Sequence, residues 1–184
     1  MQGDFEAHRR MLESLGAEAS EVRTPDGLIG LDGLVIPGGE STTIAMGMER
    51  EGFDQAIPAF CESGGPILGS CAGMIVCDRE HLGIADYVCR RNAFGRQLQS
   101  FEQDLHVDGL GEEPLRAVFI RAPWVEERGP GVEALAEIHG HPVAVRDDNV
   151  LAVAFHAELT DDSRLHAAFM AMCTAARDPE RAHR

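Results

Sequence analysis

The stretch Pro66-Ile67-Leu68-Gly69-Ser70-Cys71-Ala72-Gly73-Met74-Ile75 constrains the fold more than any other part of the chain. It opens as a buried strand and closes as the start of a helix, with Gly-Ser-Cys-Ala-Gly between them. A nucleophile set between glycines at a strand-to-helix turn is the elbow of Gly-x-Ser-x-Gly hydrolases, here with cysteine in the serine position. So sharp a turn strains the nucleophile's backbone, and only neighbours without side chains let strand and helix pass so close. The turn also sets Cys71 at a helix N-terminus, where unpaired N–H groups and the helix dipole favour the thiolate. The alternative for these residues is a small buried cysteine in a glycine-rich turn.

The rest of the chain reads as strands alternating with helices, which indicates a mainly parallel sheet covered on both faces. A helix from Phe5, with Asp4 as N-cap and Gly16 as its end, is followed by a short strand over 17–22. A strand over 31–37 leads into Pro37-Gly38-Gly39-Glu40-Ser41-Thr42-Thr43, then a helix through Ile44, Met46 and Met48 and another over 55–62. Beyond the elbow, a pair of extended segments covers 91–107, and strands follow at 115–120, 132–138, 142–146 and 150–155. A helix over 159–176 closes the chain, with a frayed polar tail from Asp178. No repeat or linker divides the 184 residues, so one domain spanning 1–184 is expected.

Charge narrows the partners. The chain has 31 Asp+Glu against 16 Lys+Arg, formally −15, which argues against nucleic acid and anionic membranes. No apolar run is long enough to span a membrane and no signal-peptide pattern is present, so a cytoplasmic location is expected. The five cysteines are odd in number and form no C-x-x-C pair, which fits reduced thiols better than disulfides or zinc. His139 and His141 lack further ligands at suitable spacing, so neither a metal nor a cofactor is expected.

In sheets of this kind ligands bind at the carboxyl ends of strands. The Gly38-Gly39 loop, Cys71, Arg121 and His156 all follow such ends. His156 is the candidate base. Glu158, two residues on and on the same face of an extended segment, is the group to orient it. The alternatives are a surface histidine, and a solvated carboxylate or a cap for the last helix. An oxyanion would need donors. The N–H of Ala72 and a peptide N–H of the Gly38-Gly39 loop could supply them, unless the loop is only a tight turn before a helix.

Residues 37–43, Gly69-Ser70-Cys71-Ala72-Gly73-Met74-Ile75 and Phe155-His156-Ala157-Glu158-Leu159-Thr160 resemble the triad-type glutamine amidotransferases. Arg91-Asn92-Ala93-Phe94-Gly95-Arg96-Gln97 with Ser100-Phe101-Glu102, and Val118-Phe119-Ile120-Arg121-Ala122-Pro123, are similar to the glutaminase subunits of two-protein pyridoxal phosphate synthases. The resemblance implies a flavodoxin-like three-layer α/β fold. It implies Cys71, His156 and Glu158 as the catalytic triad, Gly39 and Ala72 as oxyanion donors, and L-glutamine held by Gly39, Glu40, Ser41, Arg91, Ile120 and Arg121. It also implies ammonia delivery to a barrel-shaped synthase subunit that builds pyridoxal 5'-phosphate.

The chain departs from that pattern at three places. Ala157 replaces the usual proline, and the segment from Ile75 to Arg91 is shorter than usual. The apolar strand that usually precedes Gln2-Gly3-Asp4 is missing, since the chain starts at Met1. The expectation is therefore a slot between strands at about 19–22 and 34–37, with either a start further upstream or a marginally stable chain. Two rival functions stand beside the first. One is a glutaminase subunit of another pathway, such as imidazole glycerol phosphate formation; the other is an inactive partner-binding subunit.

Overall fold

Buried apolar runs set the centre of the molecule. In the computed structural model, which describes residues 5–95 and 100–177, β1 (Leu34–Ile36), β2 (Ile67–Ser70) and β9 (Val150–Val153) lie side by side and parallel. Every residue of β2 and β9 is buried, as expected of strands covered on both faces. Antiparallel β8 (His141–Asp147) and β7 (Glu133–Ile138) complete the sheet in the order β1-β2-β9-β8-β7. Two ribbons stand beside it. One pairs β3 (Tyr87–Arg90) with β6 (Trp124–Arg128), the other β4 (Ser100–Leu105) with β5 (Leu115–Ile120).

Helices flank the sheet, giving the three-layer, flavodoxin-like α/β fold. They are α1 (Phe5–Ser14), α2 (Ser41–Glu51), α3 (Phe53–Glu62), α4 (Ala72–Cys77) and α5 (Arg164–Arg177). Gly16, at φ +89, follows α1, and Gly52, at φ +82, separates α2 from α3. Among the described residues no helix is long and apolar enough to cross a membrane.

Several boundaries differ from the sequence reading. Residues 17–22 are not a strand, because no neighbouring strand pairs with them among the described residues. Of the extended pair read over 91–107, β4 is a strand, but residues 91–94 are a turn, because β3 already ends at Arg90. β3 and β4 each pair with a later strand rather than with each other. β6 escaped the reading because it carries Glu126, Glu127 and Arg128 on an exposed ribbon. The closing helix starts at Arg164, after a 3-10 turn at Ala157–Leu159. Asp4, Gln2-Gly3, Arg96-Gln97 and the tail from Asp178 lie outside the described residues.

Because residues 17–22 form no strand, the expected slot between two strands is not formed as such. Among the described residues β1 is the edge of the sheet, and a cleft of about 1080 Å³ lies between it and residues 17–23. Leu12, Val22, Leu34, Ile36, Ile57 and Phe169 are among the side chains that line it.

Candidate active site

The elbow is built by steric exclusion. Cys71 sits at φ 51, ψ −102, a strained conformation for a residue with a side chain. Its N–H still donates to the Val153 carbonyl at 2.8 Å, which prolongs the ladder between β2 and β9. Glycines make the turn passable. A Cβ on Gly69 would lie 2.9 Å from the Gly73 carbonyl carbon, and one on Gly73 would strike the backbone oxygen of Ile36. The thiol of Cys71 is buried and points at the Ile120 carbonyl, 3.8 Å away.

His156 stands three residues beyond β9, and its N–H donates to the Val118 carbonyl at 2.8 Å. The backbone then turns into the 3-10 turn instead of continuing extended, so the i, i+2 argument for Glu158 does not apply. The pairing arises all the same, because the tight turn brings Glu158 back. His156 Nδ1 lies 2.7 Å from Glu158 Oε1, with both side chains almost wholly buried. Burial pulls the imidazole's pKa down. Hydrogen bonds to Cys71 and Glu158, with the charges of both, outweigh it and raise the pKa to about 10. Burial raises the Glu158 carboxyl, but the hydrogen bond from His156 and the charges of His8 and His156 hold it below the usual carboxylate range. The site therefore favours an imidazolium and a carboxylate in line behind the Cys71 sulfur, an arrangement able to attack a carbonyl carbon and protonate the leaving group.

Gly38 presses against this line. A Cβ there would lie 2.5 Å from His156 Cε1 and 3.5 Å from Cys71 Cβ. Gly39 takes φ +150, a region that residues with side chains rarely adopt. Glu40 caps α2. Its carboxylate accepts from the Thr42 and Thr43 N–H groups at 3.2 and 2.8 Å. Bonds from the Thr43 hydroxyl and these two N–H groups hold its pKa at about 2. Glu40 also pairs with Arg91 at 2.8 Å, and Arg91 reaches the Thr42 hydroxyl at 3.0 Å. Ser41 Oγ is buried without a hydrogen-bond partner among the described residues. Ile120 ends β5 at the same rim and Arg121 follows it, exposed and at φ +45.

Sequence reasoning passed over three residues. Ser70 donates to Glu158 Oε2 at 3.2 Å. His8 Nε2 stands 3.4 Å from the same oxygen, and His166 Nε2 lies 2.9 Å from His8 Nδ1. No spacing links His8 or His166 to residue 158, though a histidine on each helix's apolar face was visible. The short segment after α4 folds around Asp78, which accepts from the Glu80 and Cys89 N–H groups at 2.9 and 3.0 Å.

A sheet whose parallel central strands deliver cysteine, histidine and glutamate to their carboxyl ends is the architecture of triad-type glutamine amidotransferases. The SNO glutamine amidotransferase family matches residues 1–175, and the chain belongs to it. It is 48% identical to "Pyridoxal 5'-phosphate synthase subunit PdxT" of Niallia circulans, over 96% of each chain. The protein of that name in Dehalococcoides mccartyi is 50% identical over 94% of this chain and 93% of its own. Among solved structures, one titled "Crystal structure of glutamine amidotransferase" is similar with a TM-score of 0.87 and 43% identity, covering 94% of this chain and 95% of its own.

Proposed function

We propose that the chain hydrolyses the side-chain amide of L-glutamine and passes the ammonia to a barrel-shaped synthase subunit for pyridoxal 5'-phosphate synthesis in the cytoplasm. The observation that carries this reading is the buried line from Cys71 through His156 to Glu158, in a member of a glutamine amidotransferase family.

In this reading the Cys71 thiolate attacks the amide carbon of glutamine, and the oxygen takes the negative charge facing the Ala72 and Gly39 N–H groups. His156 gives its proton to the nitrogen, the C–N bond breaks, and ammonia leaves behind a thioester. His156, now neutral, takes a proton from water as the water oxygen attacks the thioester. Collapse expels the Cys71 thiolate and releases glutamate. Glu158 keeps the imidazole oriented and stabilises its charged form. Gly39, Glu40, Ser41, Arg91, Ile120 and Arg121 surround the glutamine. The Glu40–Arg91 pair offers both charges that an amino acid's ammonium and carboxylate require. The peptide between Gly38 and Gly39 is the natural point of control, turning a donor into the oxyanion hole when the synthase docks.

Glutamate release by the chain, alone and with a synthase subunit of such relatives, tests this. Cys71→Ala is expected to abolish release and His156→Asn to reduce it nearly as far, both folded as judged by circular dichroism. The synthase subunit is expected to raise the wild-type rate. An alanine variant that hydrolyses glutamine at the wild-type rate overturns the assignment.

A further inference from the structure

Behind the elbow, two histidines from opposite ends of the chain meet the far side of Glu158. His8 on α1 is 3% exposed and His166 on α5 is 0% exposed. Their ring centroids are 5.1 Å apart, with His8 Nδ1 2.9 Å from His166 Nε2. On its other side His8 Nε2 stands 3.4 Å from Glu158 Oε2, the oxygen that also accepts from Ser70. Glu158 thus divides its two oxygens, Oε1 to His156 and Oε2 to His8 and Ser70.

Charge decides what His8 is. In the attacking form of the proposed reaction, a Cys71 thiolate, a His156 imidazolium and a Glu158 carboxylate sum to −1 in a buried space. Buried charge is costly unless paired, and one further cation there brings the sum to zero. An imidazolium at His8 donates toward both of its neighbours, the carboxylate and the His166 ring. Glu158 faces these rings, and behind it stand His156 and Cys71. Burial first, and then the positive charge of His8, push His166 down to about 4, so it stays neutral and able to accept.

We propose that His8 is a second buried imidazolium paired with Glu158, that His166 holds it in place, and that both are positioning residues for the chemistry at Cys71. With Oε2 held from behind, Glu158 neither rotates away nor takes the His156 proton. That proton then remains where the departing ammonia needs it. The role rests on the glutaminase reading, but it can be tested without glutamine.

The measurement is alkylation of Cys71 in the whole chain by iodoacetamide between pH 5 and 9, read at the Cys71 peptide by mass spectrometry. Removing a neighbouring cation disfavours a thiolate, so His8→Gln is expected to move the alkylation midpoint up by about one pH unit, a roughly tenfold slowing below it. His166→Leu, which removes the acceptor for His8, is expected to move it the same way. With the synthase subunit present, His8→Gln is expected to lower kcat for glutamine with KM little changed. A folded His8→Gln chain with the wild-type alkylation profile overturns the proposal. If that variant does not fold, the wild-type ring decides. Nitrogen-15 NMR of histidine-labelled protein at pH 7 is expected to show both His8 nitrogens protonated, and a neutral ring overturns the proposal. Because alkylation needs no glutamine, a chain that fails to hydrolyse glutamine leaves this test intact.

Discussion

At Gly38 even a methyl group has no room. Its Cβ would meet His156 Cε1 at 2.5 Å, and the imidazole is already committed to Cys71 and Glu158. Gly38→Ala is therefore expected to tilt the ring and lower kcat for glutamine by about 100-fold, the cost of a misplacement of about 1 Å. A variant within threefold of wild type shows that the ring can yield without loss. The buried histidines also shape stability against pH. His166 has a folded value of about 4 against about 6.5 unfolded, so between these values the unfolded chain binds a proton that the folded chain does not. Stability falls as pH falls through that window, and Glu158, held low, adds to the loss. His156 works in the opposite direction: raised to about 10, it stabilises fully below about 6.5 and loses that contribution as pH climbs toward 10. Urea unfolding is expected to show about 2 kcal/mol less stability at pH 4.5 than at pH 6.5. A flat acid limb contradicts this account of His166.

Among the elements, the elbow is a joint closed by backbone. Adding a Cβ at Gly73 drives it into the Ile36 carbonyl of the neighbouring strand, and a backbone atom in a parallel sheet cannot swing aside as a side chain would. Gly73→Ala is expected to cost about 3 kcal/mol or more, measured as a drop in melting temperature. An unchanged melting temperature shows that β1 can shift to make room. The ribbon of β4 and β5 supports the opposite rim of the site through its aromatic side chains. Phe101 stacks on Phe119 with centroids 4.7 Å apart, and Phe94 meets both rings. Phe119 in turn packs edge-on against Phe155, the residue before His156. This gives a physical reason for the phenylalanines of the Asn92-Ala93-Phe94 and Ser100-Phe101-Glu102 segments. They set the floor beneath Ile120 and His156.

In the molecule as a whole, β1 is the end strand of the main sheet among the described residues, and the cleft beside it is lined by apolar side chains such as Leu34, Ile36, Ile57 and Phe169. A short apolar strand fused ahead of residue 1 is expected to enter that cleft. Burial of two or three aliphatic side chains stabilises by about 3 kcal/mol or more, and roughly 6–12 °C in melting temperature follows for a chain of this length. The open edge should also promote pairing between chains, and the fused strand should suppress it. Equal melting temperature and equal monomer content in the two proteins refute this view of the cleft.

Much of this was legible from local chemistry. The elbow at Cys71, the buried runs of β2 and β9 and the glycine at Gly39 follow from side-chain size, apolarity and φ preference, which act between near neighbours. The three-layer fold follows from the alternation of strands and helices. What the residues did not reveal depends on which segments meet. Residues 17–22 have strand-like character, but a strand needs a partner, and pairing is decided across the sheet. Glu158 reaches His156 through a 3-10 turn rather than an extended segment, because the chain must bend back over the end of β9. His8 and His166 are separated by 158 positions and look like ordinary members of helical apolar faces. Only the packing of the first helix against the last brings both rings behind Glu158, where three buried ionisable groups must satisfy one another because water cannot.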